Sequence, residues 1–190
     1  MAPFNHFDFL APIYDRFFHA KDLTQLSRLV GLPVSGRLLD AGGGTGGKSH
    51  PLLKLVTNIV IADSSKGMLT QAAKKNGLIT VCSESEKLPF GDESFERVIM
   101  VDAYHHVSDY RMTADELWRV VKPGGRIVIE EPDIRRMPIK IMAIIEKLAL
   151  MRSHFIAPHE IAATFQYHNA KIIMEYEESV AWIVINKQIA

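Results

Sequence analysis

The glycine-rich stretch AGGGTGGKSH, residues 41–50, limits the fold more than any other part of the chain. Residues without a Cβ let backbone N–H groups come close to a bound group, and a loop of this kind joins a strand to a helix. The segment RLLDA at 37–41 is apolar and carries an acid just before the glycines, which is typical of a buried strand. The sequence therefore predicts a strand, a ligand-binding loop and a helix, in that order.

The same alternation continues along the chain. We expect further strands at 57–63, 78–83, 95–102 and 126–131, and helices at 46–55, 64–77 and 109–125. The strand segments are apolar almost throughout and the helices between them are amphipathic. This pattern indicates a parallel sheet that is covered on both faces.

The two ends of the chain depart from this pattern. After Pro132 we expect helices at about 137–152 and 158–167, followed by two strands within 169–187. Strands this close in sequence must pair antiparallel, because a parallel return needs a long crossover. Residues 4–19 hold five phenylalanines and a tyrosine, and we expect a helix there that packs on the sheet or forms a lid over a ligand.

Composition narrows the functional classes. The chain has 190 residues, enough for one domain with a real core. Lys plus Arg and Asp plus Glu number 22 each, so nucleic acid and anionic membranes are not expected partners. Cys82 is the one cysteine, which rules out an internal disulfide and a thiolate cluster for a metal. No secretory signal or membrane-spanning segment is predicted, and we expect a cytoplasmic protein without stable membrane insertion.

One interpretation of the glycine loop is a phosphate-binding P-loop. Residues from Gly42 to Ser49 spell G-x-x-x-x-G-K-S, the pattern that cradles a nucleoside triphosphate. Asp102, at the end of the segment VIMVD, could hold the magnesium ion that such a site needs. The chain could thus be a nucleotide triphosphatase.

The other interpretation is a Rossmann-like site for an adenosine-bearing cofactor, read from Asp40 as D-A-G-G-G-T-G. Asp63 ends the second expected strand, about 20 residues beyond the glycines, where such sites place the acid that binds ribose hydroxyls. A triphosphatase has no need of this acid, and Asp40 would repel a triphosphate but favour a positively charged cofactor. We therefore favour the second interpretation, in which Lys48→Ala leaves cofactor affinity nearly unchanged.

Four segments within 36–133 carry a family resemblance. LLDAGGGTG, IVIADSSKGML, ESEKLPFGDESFERVIMVDAYHHV and ELWRVVKPGGRIVIEEPD resemble, in order and spacing, the motifs of class I S-adenosylmethionine (SAM)-dependent methyltransferases. The resemblance implies an α/β, Rossmann-like, doubly wound sheet of seven strands, mostly parallel, with an antiparallel C-terminal hairpin strand and an N-terminal helical lid. It implies a single domain over 1–190, with N-terminal helices at 1–34, the cofactor-binding core at 35–133, and helices and the hairpin at 134–190.

The resemblance also implies where SAM binds. The expected cofactor-binding residues are Asp40, Ala41, Gly42, Gly44 and Gly46 in the first turn, Asp63 and Ser64 at the ribose, Met68 at the adenine, Glu84 and Ser85 at the adenine amino group, Asp102 at the end of the fourth strand, and Tyr14 in the lid. Capping of the next helix is the alternative role for Asp63 and Ser64. Core packing is the alternative for Met68 and its neighbour Leu69.

The triplet YHH at 104–106 supplies the candidates for catalysis. A histidine can accept a proton near neutral pH, so we expect His105, with Tyr104, to assist the reaction chemically, and His106 less so. The alternative is that these side chains only shape the floor of the pocket. No other histidines have the spacing of a metal site, and no metal is expected.

The N-terminal FDFLAPIYDRF is similar to the F-D-x-x-A-x-x-Y-D motif of the ubiquinone and menaquinone C-methyltransferases. On this resemblance, Phe7, Tyr14 and Asp15 are lid candidates, and the chain is expected to methylate a small molecule, such as a quinone precursor or another aromatic, on carbon or oxygen. S-adenosylhomocysteine would be the second product. The alternatives are a P-loop-like triphosphatase and a non-catalytic SAM-binding protein.

Overall fold

A computed structural model describes residues 8, 11, 23–137, 139–140 and 154–189 of the chain. The helices are α1 (Thr24–Val30), α2 (Lys66–Ala72), α3 (Tyr110–Val120) and α4 (Pro158–Ala163), with short 3-10 helices at His50–Leu55 and Tyr104–His106. The strands are β1 (Arg37–Ala41), β2 (Asn58–Asp63), β3 (Leu78–Cys82), β4 (Phe95–Val101), β5 (Val121–Pro132), β6 (Ala170–Glu177) and β7 (Val180–Lys187).

The seven strands form one sheet in the order β3-β2-β1-β4-β5-β7-β6. Strands β1 to β5 pair in parallel, whereas β7 is antiparallel to both β5 and β6. The Rossmann-like topology and the C-terminal hairpin that were expected from the sequence are confirmed. Strand order reverses at β1, between β2 and β4, and in open α/β sheets ligands bind in the crevice at such a reversal.

Both faces of the sheet are buried, which explains the nearly unbroken apolar strands. Leu38 and Ile59 belong to a cluster on the face that α1 covers, and the next residues, Leu39 and Val60, belong to the cluster on the other face. All four are at most 1% exposed. Successive side chains of a strand point to opposite faces, so every position of a strand covered on both sides must be apolar.

Several elements differ from the expectation. No α-helix begins at Gly46; the chain instead forms turns and then the 3-10 helix, with Pro51 near its start. Helix α3 ends at Val120, before Lys122 and Pro123, because the residue before a proline avoids the α conformation and proline cannot donate to a helix. Strand β5 consequently starts at Val121, opposite Phe95, five residues earlier than expected.

Two expected segments lie largely outside the described residues. These are the helix at 137–152 and the aromatic N-terminal segment, including Phe7, Tyr14 and Asp15. Within the described part of the chain, no helix has the length and apolar character needed to cross a bilayer.

Candidate active site

A cavity of about 600 Å³ opens where the sheet reverses direction. Its walls come from the glycine loop (residues 42–47), the carboxyl ends of β2, β4 and β5, and the start of β7. Cavities of a few hundred to a thousand Å³ at this position commonly hold cofactors and small substrates. The cavity is therefore the candidate active site.

The glycine loop turns because Gly42, Gly44 and Gly46 have left-handed φ angles of 68°, 54° and 69°. A Cβ added to Gly42 or Gly46 would lie 2.6 Å from Ala103 or 2.5 Å from Leu78, so these two are required by packing. A Cβ on Gly44 would meet only Met68, at 3.9 Å, on the side of the cavity. Of the expected turn residues, Asp40, Gly42 and Gly44 line the cavity, whereas Ala41 and Gly46 support the turn without lining it.

Asp63 joins the end of β2 to the glycine loop. Its Oδ2 accepts a hydrogen bond of 2.8 Å from the backbone N–H of Gly44, and its Oδ1 accepts one of 2.7 Å from the N–H of Ser65. Burial raises the pKa of Asp63, and the two N–H donors oppose that rise. Each oxygen retains a second lone pair that can accept a hydroxyl.

The cap of helix α2 is neither Asp63 nor Ser64. Ser65 is the N-cap, and its hydroxyl accepts from the N–H of Met68 at 3.1 Å. Ser64, Met68, Glu84 and Ser85 line the same cavity as Asp63. Leu69 does not line it and packs in the core with 8% exposure.

Asp40 is a buried acid on the cavity wall, with only 2% exposure. Its Oδ2 accepts a short hydrogen bond from the hydroxyl of Ser49, while its Oδ1 is buried with no partner among the described residues. Burial raises the pKa of Asp40 to about 7, and the hydrogen bond from Ser49 opposes this rise. A positively charged group in the cavity would stabilise the ionised form.

Lys48 holds two further acids together on the same wall. Its Nζ lies 2.6 Å from Oδ2 of Asp102, after β4, and 3.2 Å from Oε1 of Glu130, in β5. We call these three residues the Lys48 cluster. Burial acts to lower the pKa of Lys48, but the two carboxylates outweigh it and raise that pKa. Sequence reasoning singled out Asp102 but missed Lys48 and Glu130 as site residues.

The geometry argues against a P-loop. Lys48 is engaged by two carboxylates, and the N–H of Gly44 donates to Asp63, so neither is presented to a phosphate. Among the described lining residues eight are Asp or Glu and one is Lys. A triphosphate would be repelled by this charge. The Lys and Ser of the P-loop pattern instead hold Asp102, Glu130 and Asp40 in place.

Tyr104 and His105, the expected catalytic pair, do not line the cavity. The hydroxyl of Tyr104 donates to the carbonyl of Tyr110 at 2.8 Å, and burial raises the pKa of Tyr104 well above its usual value. His105 is 6% exposed and its Nδ1 lies 2.6 Å from Oε2 of Glu131. His106 does line the cavity. The structure thus brings the third residue of the triplet, and not the first two, to the cavity wall.

The buried carboxylate of Glu131 holds this triplet in place. Its Oε1 accepts hydrogen bonds of 2.9 and 2.6 Å from the N–H groups of Ala103 and Tyr104, and its Oε2 contacts His105. Its side chain is 3% exposed. One buried carboxylate therefore determines which way the 3-10 turn presents its side chains.

Asp8, from the N-terminal part of the chain, contacts the start of helix α2. Its Oδ1 accepts from the hydroxyl of Ser65 at 2.6 Å and from the N–H of Gly67 at 2.8 Å. A Cβ on Gly67 would lie 2.8 Å from Cα of Asp8, so only glycine permits this approach. Sequence reasoning chose Phe7, Tyr14 and Asp15 for this region and missed Asp8.

The described residues contain no group of three or more His, Cys, Asp or Glu side chains arranged to hold a metal ion.

Comparison with known proteins agrees with this geometry. Residues 39–129 match the methyltransferase domain family. This match covers just under half of the chain and makes the chain similar to class I SAM-dependent methyltransferases. The matched region begins in β1 and ends in β5, so it includes the glycine loop, Asp63 and Asp102.

Two relatives of the chain are longer proteins. The demethylmenaquinone methyltransferase of Clavibacter sepedonicus is 38% identical over 112 residues, which are 56% of this chain and 46% of that protein. That of Paenarthrobacter aurescens is 32% identical over 133 residues, 66% of this chain and 53% of that protein. The chain spans about half the length of the curated relatives it matches.

The fold has close counterparts among solved structures. A SAM-dependent methyltransferase from Aquifex aeolicus superposes with a TM-score of 0.72 at 17% identity, over 95% of this chain and 96% of that one. At this identity the likeness establishes the fold alone. The expected α/β methyltransferase architecture is confirmed.

Proposed function

We propose that the chain is a SAM-dependent methyltransferase whose acceptor is a small aromatic molecule of the quinol or phenol type. The observation that carries the cofactor assignment is the carboxylate of Asp63 on the cavity wall, which joins the end of β2 to the N–H of Gly44. This is the position at which a Rossmann-like site places its ribose-binding acid.

The residues present fit SAM. Asp63 would accept the two ribose hydroxyls through its remaining lone pairs, and Ser64, Met68, Glu84 and Ser85 would surround the adenine. Gly44 has no Cβ, which leaves space for the methionine portion of the cofactor to pass close to the loop. Asp40 would pair with the positive charge of the methionine portion through its unpartnered Oδ1. When bound, SAM supplies an electrophilic methyl group on a sulfonium.

The charge of the cavity supports a cationic cofactor. Eight acids and one lysine among the described lining residues create a negative potential, and opposite charges at short range attract strongly in a partly dehydrated site. The chain itself has no net charge, so the potential is local. A local field of this sign favours SAM over nucleotides with several phosphates.

The acceptor class rests on two observations. Two relatives that match in sequence are named demethylmenaquinone methyltransferases, and the cavity wall includes the apolar side chains of Leu26, Met100, Val180 and Trp182. Such walls suit a ring, and the protein's task would be to align ring and methyl group and to exclude water. The proposed acceptor is therefore a hydroxylated aromatic.

Two measurements test this proposal. Isothermal titration calorimetry with SAM should show binding, and incubation with SAM and 1,4-naphthoquinol, kept reduced, should yield methylated ring and S-adenosylhomocysteine. Phenols and amines serve as comparison acceptors. SAM binding without transfer to any acceptor would favour the non-catalytic alternative, and absence of SAM binding would refute the assignment.

A further inference from the structure

The Lys48 cluster remains unexplained by cofactor binding alone. Lys48 is the only lysine or arginine on the described cavity wall, beside eight acids, and its ammonium group pairs with Asp102 and Glu130. Glu130 lies in β5, which is separated by β1 and β4 from β2, where the ribose acid lies. Of the cluster, only Asp102 is among the expected cofactor-binding residues, so Lys48 and Glu130 are not accounted for by them.

Trp182 stands beside this cluster. It pairs with Glu130 across β5 and β7, and residues directly opposite in an antiparallel pair have side chains on the same face of the sheet. Trp182 is 6% exposed and lines the cavity, and its Nε1 is buried with no acceptor among the described residues. An indole N–H can only donate, so it calls for an oxygen or another acceptor on a ligand.

The chemistry of these groups is complementary to a hydroxylated ring. Trp182 and Val180 offer apolar surface for the ring, and a carboxylate of the Lys48 cluster can accept the hydroxyl hydrogen. An acceptor bearing a carboxylate or phosphate would be repelled by the acidic wall. A phenol or quinol satisfies both requirements.

We propose that Glu130, held by Lys48 beside Asp102 and facing Trp182 across the strand pair, accepts the hydroxyl proton of an aromatic acceptor bound in this part of the cavity. The O–H bond of the acceptor breaks, its electron pair stays on the acceptor oxygen, and the proton forms a new O–H bond on the carboxylate of Glu130. The oxygen becomes electron-rich and activates the ring for methylation. This inference rests on the proposed methyltransferase function.

The neighbours of Glu130 suit this role. Burial raises the pKa of Glu130 to about 7, Lys48 opposes that rise, and the charges of Asp102 and Glu131 add to it. Glu177, at the end of β6, and Glu178, in the turn after it, line the same cavity. A carboxylate with a pKa near neutral can take up a proton and release it again to solvent.

Two variants should move the activity profile in opposite directions. Lys48→Met removes the cation that favours the ionised form of Glu130, so its pKa rises and the acid limb of the kcat/KM profile moves to higher pH. Asp102→Asn removes a neighbouring negative charge, so that pKa falls and the limb moves to lower pH. Asparagine tolerates the left-handed φ of 51° at position 102. A merely structural role for the cluster would not produce opposite shifts.

Glu130→Gln should lower kcat/KM for 1,4-naphthoquinol by about 100-fold or more, the typical contribution of a general base. Glu96 and Lys122 form a comparable ion pair near the amino-terminal ends of β4 and β5. Glu96→Gln and Lys122→Met are the controls and should leave the pH limb in place. SAM affinity, measured by calorimetry, should change little in Glu130→Gln.

A second measurement does not depend on turnover. Carbon-13 NMR of protein labelled in its glutamate carboxyls, with the Glu130 signal assigned by its loss in Glu130→Gln, should show titration near neutral pH and the same opposite shifts in Lys48→Met and Asp102→Asn. Titration of Glu130 in the ordinary glutamate range, or an acid limb that neither variant moves, would overturn the proposal.

Binding of the ring separates this inference from the proposed function. In a Trp118→Phe background Trp182 is the one remaining tryptophan, since the chain has two, and 1,4-naphthoquinol should quench its fluorescence. Quenching without methyl transfer would refute the proposed acceptor and the transfer of its proton to Glu130. It would still support binding of the ring beside Trp182. Methyl transfer without quenching, and with an unaltered rate in Glu130→Gln, would place the acceptor elsewhere and overturn this inference alone.

Discussion

The carboxylate of Asp63 accepts a 2.8 Å hydrogen bond from the backbone N–H of Gly44, across 19 positions of sequence. This contact joins the acid at the end of β2 to the glycine loop after β1, and it orients the carboxylate on the cavity wall. The ligand site is therefore built from the pairing of two neighbouring parallel strands, with the loop conformation and the acid depending on each other.

Asp63→Ala should weaken SAM binding by about 10- to 100-fold, because hydrogen bonds from a ligand to a charged group contribute about 1.5–3 kcal/mol each. Calorimetry measures the dissociation constant directly. Asp92→Ala is the control, since the side chain of Asp92 is 77% exposed and pairs only with Arg119 in the described contacts. Equal affinities in wild type and Asp63→Ala would contradict the ribose assignment.

Most of the fold and part of the site could be predicted from the sequence. Strands buried on both faces, such as Asn58–Asp63, are apolar at nearly every position, so their number and order could be predicted. Asp63 and Gly44 could be predicted as site residues because they belong to one local strand–loop pattern. The contact between Lys48 and Glu130 spans 82 positions and exists only because β5 lies two strands from β1. Local pattern could not indicate it.

The triplet YHH shows a second limit of prediction from the sequence. The sequence placed the turn after β4 at the pocket, but it could not determine which side chain faces the cavity. That orientation depends on Glu131, which lies 26 residues further along the chain from His105 and anchors the turn from the buried side. His106 lines the cavity as a result.

Gly67→Ala should raise the dissociation constant for SAM, because the new Cβ would displace Asp8 and with it the N-terminal contact beside Asp63. A loss of about 10-fold corresponds to about 1.4 kcal/mol. Asp8→Ala should reproduce the effect. Gly91→Ala, whose added Cβ would meet only Ser94 at 3.7 Å, provides the matched control. Unchanged binding in both Gly67→Ala and Asp8→Ala would show that the N-terminal contact has no part in the site.

Binding of SAM near pH 6 should release a proton from Asp40. Burial raises the pKa of this carboxyl to about 7, so it is largely protonated at pH 6 without ligand, and a cation beside it favours the ionised form. The release is obtained from calorimetric enthalpies in buffers of different ionisation enthalpy. Asp40→Asn should abolish it.

The same pKa predicts how stability without ligand depends on pH. The folded-state pKa of Asp40 lies above its usual value of 3.8, so folding favours the protonated form, and the stability associated with it is lost as pH rises through about 7. Asp40→Asn should remove that loss. Relative to wild type, the variant should therefore gain free energy of unfolding between pH 6 and pH 8, by an amount on the order of 1 kcal/mol. A pH-independent difference would contradict the burial argument.

Glu131→Gln should destabilise the protein by about 1–3 kcal/mol, since one amide group cannot accept from both backbone N–H groups and His105 as the carboxylate does. Urea unfolding measures the change. The comparison variant is Glu175→Gln. Glu175 is 36% exposed, forms an ion pair with Arg28, which is 55% exposed, and accepts a 3.3 Å hydrogen bond from Gln25, so the change should alter stability by less than about 1 kcal/mol. Similar values for the two variants would argue against a special role for Glu131.

The most direct test of the account is calorimetric titration of the wild-type chain and of Asp63→Ala and Lys48→Ala with SAM and, separately, with ATP and magnesium. The account predicts SAM binding that Asp63→Ala greatly weakens and Lys48→Ala leaves nearly unchanged, and no binding of magnesium ATP. Magnesium-dependent ATP binding that disappears in Lys48→Ala, with no SAM binding, would contradict it.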